Sequence, residues 1–91
     1  MDNQRCEVRY SGRVQGVGFR YTVHQIAAGL AVTGFVRNRP DGSVQLVVEG
    51  PPHEIERLLA EVRATMGRFI RDVQETRGPA TGEFRGFGVR Y

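Results

Sequence analysis

The residues best suited to chemistry lie in the stretch GRVQGVGFRY, residues 12–21. Gly16 and Gly18 let the backbone curl so that successive N–H groups turn to one side. Arg20 follows with a planar fork of donors that suits phosphate or carboxylate. A helix beginning there would aim its first N–H groups, and the positive end of its dipole, at the same point. Bare backbone, a helix start and one arginine suit a small anion. They match neither common nucleotide fingerprint. A Rossmann turn needs a third small residue where this chain has Tyr21, and a Walker loop needs Gly-Lys followed by Ser or Thr. The same glycines would also serve a tight turn with no ligand, so a structural turn stands as the alternative to phosphate.

Nothing around the loop supplies a nucleophile or a metal cage. Cys6 is the only cysteine. Its alternation with Val8 and Tyr10 reads as a small core residue, and a single thiol accords with a reducing compartment. His24 falls mid-helix beside Val23 and reads as a surface or packing residue. His53 belongs to the first turn of a second helix, away from the loop. No Cys/His/Asp cluster has metal-ligand spacing.

Elements must position the loop, and the apolar spacing predicts them. Cys6, Val8 and Tyr10 alternate with Glu7, Arg9 and Ser11, a half-buried first strand. Val23, Ile26, Ala27 and Leu30 recur at helical spacing over residues 20–30, with Gly29 as terminator. Residues 32–38 (VTGFVRN) and 43–50 (SVQLVVEG) form a hairpin around the turn RPDG at 39–42. Prolines 51 and 52 open a second helix carrying Ile55, Leu58, Leu59, Val62 and Met66 on one face. A weaker fourth strand is expected at 69–75, a loop at 77–83, and a short fifth strand through Phe84, Phe87, Val89 and Tyr91.

This βαββαβ order with an extra strand predicts an α+β fold, the ferredoxin-like sandwich: an antiparallel sheet, two helices on one face and a short C-terminal strand. A crossover helix joins strands one and two, which therefore run parallel and end at the same side. The glycine loop and the residues Arg37, Asn38 and Arg39 should meet there. Asn38 taken alone reads as a strand-end residue opening the turn.

Composition bounds the rest. Ninety-one residues, 40% hydrophobic and 25% charged, make one domain over 1–91 near the lower limit for a single core. No apolar run is long enough to span a membrane, and the first ten residues lack a signal-peptide core, so a cytoplasmic protein is expected. All 13 basic residues are arginine, yet the net charge is only +3 and the arginines are scattered. That argues weakly for an anionic ligand, and genomic base composition explains it equally well.

The run GRVQGVGFRYTVHQIAAGLAVTGFVRNRPDGSVQLVVEG, residues 12–50, resembles the acylphosphatase family. The likeness extends more loosely to the second helix and to the closing GFGVRY. It implies hydrolysis of a small acyl phosphate to a carboxylate and inorganic phosphate, the latter also an inhibitor. It implies that Arg20, with the backbone of Gln15, Gly16, Val17, Gly18 and Phe19, holds the phosphoryl group, and that Asn38 orients the attacking water. It implies no metal and no cofactor. One departure is the turn after the second helix. It reads MGRF (66–69) where the family commonly has Gly-Pro, and it bears on the start of the fourth strand. The implied chemistry agrees with the missing nucleophile: a carboxylate leaves without needing a proton, and a loose phosphoryl transition state asks for positioning and charge.

Two rivals belong beside this reading. RGFGVRY (85–91) nearly matches an RNA-recognition signature on a βαββαβ frame. It lacks the aromatic between Gly88 and Val89, and it falls on the last strand instead of the third, which has no aromatic. The other is an acylphosphatase-like domain serving a larger maturation protein. A free-standing monomeric enzyme is expected, with no nucleic-acid or membrane partner.

Overall fold

The computed structural model describes residues 2–91. Strand β1 (Gln4–Gly12) leads through the glycine loop into helix α1 (Phe19–Ala28). The hairpin β2 (Thr33–Asn38) and β3 (Val44–Gly50) follows. Helix α2 (Pro52–Met66), a 3-10 turn (Gly67–Phe69), β4 (Ile70–Pro79) and β5 (Phe87–Arg90) complete the chain. The sheet order is β4-β1-β3-β2-β5. Four strands pair antiparallel, as expected, whereas β5 runs parallel to β2, so the sheet as a whole is mixed.

Both helices cover one face. Cys6, Val8 and Tyr10 of β1 point into the core with Val36, Val44, Leu46 and Val48. Helix α1 buries Phe19, Val23 and Ala27, each four residues from the next, and stops where the Gly29 N–H turns back to Ile26. Helix α2 buries Ile55, Leu58, Val62 and Met66, and Pro52 sits in its first turn, where a missing N–H costs nothing. The Ala31 N–H donates to Glu54 at 2.8 Å, tying the end of one crossover to the start of the other. His24 packs near the Phe87 ring, with centroids 6.4 Å apart, in keeping with a packing role.

Two elements depart from expectation. Strand β4 extends past residue 75 to Pro79 because β1 offers backbone partners along its whole length: Gln4 pairs with Pro79 and Glu7 with Thr76. That extension is polar and follows hydrogen bonding rather than apolar alternation. The MGRF turn leaves β4 intact. Its Phe69 carbonyl accepts from the Arg13 N–H at 2.9 Å, bracing the start of the glycine loop. Phe84 does not belong to β5. Residues 80–86 fold instead over the second face of the sheet, where Phe84 meets Phe35 edge-on at 5.8 Å.

Glu49 fastens that cover. It is 3% exposed, yet it accepts hydrogen bonds from the Thr81 N–H and hydroxyl at 2.9 Å each, the Gly82 N–H at 3.0 Å and Arg5 at 3.0 Å. Burial alone would raise its carboxyl. The donors from Thr81, Gly82 and Arg5 outweigh burial and hold it at about 2.

Candidate active site

Val14 and Phe19 pin the glycine loop at its two ends. Val14 is fully buried, and Phe19 lies against the Tyr10 ring with centroids 5.1 Å apart. Between them Gly16 and Gly18 both take φ of +78°. No protein atom lies within 4 Å of where a side chain would start at either glycine. The backbone conformation, not packing, therefore resists substitution here. The open space above the loop is room for a ligand.

Gly18 also precedes α1, and no side chain caps that helix start. The first intrahelical bond runs from Thr22 N–H to the Gly18 carbonyl at 3.0 Å. The N–H groups of Phe19, Arg20 and Tyr21 are left without helical acceptors, and no acidic side chain occupies the first turn. An anion is what such an end accommodates.

Register places Asn38 beside this loop. Val44 is the Cα partner of both Tyr10 and Asn38, so the ends of β1 and β2 stand level across β3. The expected meeting of the loop and the strand end is therefore observed. One cleft of about 220 Å³ is lined by Gly16, Gly18, Phe19, Arg20 and Asn38. Gln15 and Val17 do not line it. Val17 packs toward the core, and the Gln15 amide reaches across to donate to the carbonyls of Arg39 at 2.8 Å and Ser43 at 3.0 Å. Gln15 thus ties the loop to the hairpin turn next to Asn38. That side-chain role was missed in the sequence, where nothing local marks a glutamine as a tether.

Arg20 has few engagements of its own. One guanidinium nitrogen makes a long bond of 3.4 Å to the Arg90 carbonyl, and the group lies 4.7 Å from the centre of the Tyr91 ring. The ion pairs among the described residues fall on Arg5, Arg77 and His53, none on Arg20. The Asn38 amide takes part in no side-chain hydrogen bond of this edge, where Gln15 and Arg20 act as donors. Tyr21, Val89 and Tyr91 also line the cleft and were not foreseen. The alternation of the closing FGVRY was the available signal, since it turns Val89 and Tyr91 to one side of β5 and its continuation.

No aspartate or glutamate side chain lines the cleft. Among the described residues no group of three or more His, Cys, Asp or Glu gathers as a metal cage. Cys6 is buried in the core, and burial first, with Glu75 nearby, pushes its thiol up to about 12. It stays protonated near neutrality and is a poor nucleophile.

Comparison with known proteins agrees with this geometry. The family model for acylphosphatase matches residues 6–89. An acylphosphatase of Arthrobacter sp. (strain FB24) is 47% identical over 96% of this chain and 81% of its own. The crystal structure of acylphosphatase from Bacillus subtilis superposes with a TM-score of 0.87 at 29% identity, covering 97% of this chain and 99% of that one. Thermococcus kodakarensis HypF gives a TM-score of 0.82 at 28% identity over 97% of this chain but 12% of its own, so the same fold is also built into a longer protein. The chain belongs to the acylphosphatase family, enzymes that hydrolyse acyl phosphates.

Proposed function

We propose that the cleft between the glycine loop and the end of β2 carries out this hydrolysis by direct attack of water, without metal or cofactor. The reading rests above all on one observation: Arg20, the uncapped start of α1 and Asn38 share a cleft that no aspartate or glutamate lines. Arg20 and the backbone N–H groups of Gly16, Gly18 and Phe19, the loop residues that line the cleft, hold the phosphoryl oxygens. Asn38 accepts a proton of the water in a hydrogen bond and can also donate, so it aims the water without acting as a strong base. The water oxygen bonds to phosphorus as the bond to the acyl oxygen breaks. The electron pair leaves on a carboxylate, and the proton of the water passes to phosphate or solvent. Each donor aimed at the developing charge contributes about 2.7–4 kcal/mol if oxyanion-hole magnitudes transfer.

The same reading makes the protein a one-domain monomer over residues 1–91. It works in the cytoplasm, with inorganic phosphate as product and competitive inhibitor. The buried, unpaired Cys6 supports a reducing compartment. Nucleic acid has no part in it. Phe35 and Phe84 are turned on each other, with the Arg90 guanidinium 3.9 Å from the Phe35 ring centre, instead of lying open for bases to stack.

The test is release of phosphate from acetyl phosphate and benzoyl phosphate with EDTA present. Turnover should survive chelation unchanged. Loss of activity in EDTA, restored by a divalent ion, would overturn the metal-free step.

A further inference from the structure

We infer that the cleft selects acyl phosphates with an aromatic or similarly bulky apolar acyl group, and that Tyr21 is the residue that does the selecting. The inference rests on the hydrolytic reading above and extends it to the half of the substrate that Arg20 does not hold. Two large hydrophobic side chains stand exposed among the described residues, Tyr21 at 68% and Tyr91 at 100%. Both line this one cleft. Among the described residues the other large apolar side chains are buried or partly covered, so the exposure is concentrated at a single place instead of scattered. Scattered apolar residues need no explanation, whereas convergence on a pocket does.

The lining of the cleft holds two kinds of chemistry. Gly16, Gly18 and Arg20 offer donors and suit the phosphoryl group, with Asn38 beside them for the water. With those donors taken up by phosphoryl oxygens, the acyl group is left the apolar part of the lining, Tyr21, Val89 and Tyr91. An acetyl group carries one methyl and gains little from a tyrosine ring. A benzoyl ring can stack on one, in the offset or edge-on geometry that aromatic pairs prefer.

Tyr21 and Tyr91 are not equivalent probes. Tyr91 lies over the Arg20 guanidinium, so replacing it disturbs the phosphoryl end for every substrate. Tyr21 follows Arg20 on α1 and makes no aromatic or cation–π contact among those of this edge. Its helical position gives no reason for an aromatic ring, since tyrosine ranks below arginine, lysine, glutamine or glutamate as a helix former. A ring held in water beside a phosphoryl site is accounted for by a ligand that covers it.

The experiment compares kcat/KM for benzoyl phosphate and acetyl phosphate in the full chain and in Tyr21→Ser and Tyr21→Phe. The quantity read is the benzoyl-to-acetyl ratio. It cancels the intrinsic reactivity of the two substrates when variants are compared, and it cancels the folded fraction of each preparation. Tyr21→Ser should lower the ratio about fivefold to tenfold, the range of one aromatic contact. Tyr21→Phe, which keeps the ring, should hold the ratio within about twofold of the parent. An unshifted ratio in Tyr21→Ser would overturn the selecting role while leaving the hydrolytic reading in place. A fall as large in Tyr21→Phe as in Tyr21→Ser would assign the effect to the hydroxyl and overturn it as well. Failure of the parent chain to hydrolyse either substrate would instead overturn the reading on which the inference rests.

Discussion

Glu49 and Arg20 sit at opposite ends of the sheet and use the same kit in opposite ways. Around Glu49, two successive loop N–H groups from Thr81 and Gly82, one hydroxyl and Arg5 close on a carboxylate that the chain itself supplies. Around Arg20, a glycine loop, an uncapped helix start and a guanidinium face a cleft lined by no aspartate or glutamate side chain. Gly82 takes φ of +74°, close to the +78° of Gly16 and Gly18. The local geometry is therefore alike, and the source of the anion differs. A loop and an arginine that hold an internal anion make structure. The same groups left without one make a binding site. The distinction lies in which donors are satisfied within the fold, not in residue type.

Arg20 should be the most sensitive position in the molecule. Arg20→Ala should lower kcat/KM about 10³-fold, the upper range for one donor on developing charge. Inhibition by inorganic phosphate should go with it. Thermal unfolding should barely move, because Arg20 is held by one long hydrogen bond and a ring contact. Arg20→Lys should not restore activity, since a point charge does not reproduce the fork. If Arg20→Ala kept its activity and lost its fold, the two ends would have been assigned the wrong way round.

The Glu49 end should answer in the other observable. Its carboxyl is lowered from an ordinary 4.5 to about 2. A depressed carboxylate contributes stability that is fully present above its unfolded value and is lost as pH falls through its folded value. The contribution is on the order of 3 kcal/mol, or roughly 15 °C in Tm for a domain of this size. Glu49→Gln should lose about that much at neutral pH. The gap between parent and variant should then narrow as pH falls from 4.5 toward 2. A gap that stayed constant across that window would mean that Glu49 is not the anion its donors are built for.

Asn38 should separate water from phosphate within the cleft. If it acts on water and not on phosphate, Asn38→Ala should lower kcat about 10²-fold while phosphate still inhibits with nearly its former affinity. A variant that no longer binds phosphate would make Asn38 part of the anion site and Arg20 less special than the comparison holds.

Much of the frame was legible because it is written in local periodicity. Alternation in Cys6, Val8 and Tyr10 and the helical spacing of Ile55, Leu58, Val62 and Met66 marked their elements directly. The meeting of Arg20 with Asn38 followed from topology alone, because a crossover helix makes two strands end on one side. What escaped notice depends on partners distant in sequence. The polar run of β4 from Thr76 to Pro79 is ordered by the backbone of β1, and Phe84 leaves the apparent last strand because Phe35 receives it on the far face. The Gln15 amide finds its acceptors 24 and 28 residues away. Glu49 was hidden for the same reason: in a strand reading it is one polar residue among apolar ones, and only the returning loop gives it donors.

The two loops can be matched at one glycine each, where smaller changes are expected. Gly16 and Gly82 share a left-handed conformation, and neither has a protein atom within 4 Å of a built Cβ. Alanine at either position meets the same backbone penalty, about 1–2 kcal/mol, and should cost the fold a similar amount. Their consequences should separate in the assay. At Gly82 the loop grips a carboxylate that belongs to the chain, so Gly82→Ala should lower Tm and leave kcat/KM per folded molecule nearly intact. At Gly16 the added methyl stands over the cleft where the phosphoryl group is proposed to sit, so Gly16→Ala should lower kcat/KM as well. Gly16→Val, with a branched Cβ, should lower it by at least about tenfold, or 1.4 kcal/mol. The measurement is turnover normalised to folded protein, beside thermal unfolding, for each variant. Equal loss of turnover at both positions would show that loop strain is transmitted across the sheet. No loss at Gly16 would make its loop a turn like the one at Gly82, with structure as its sole purpose.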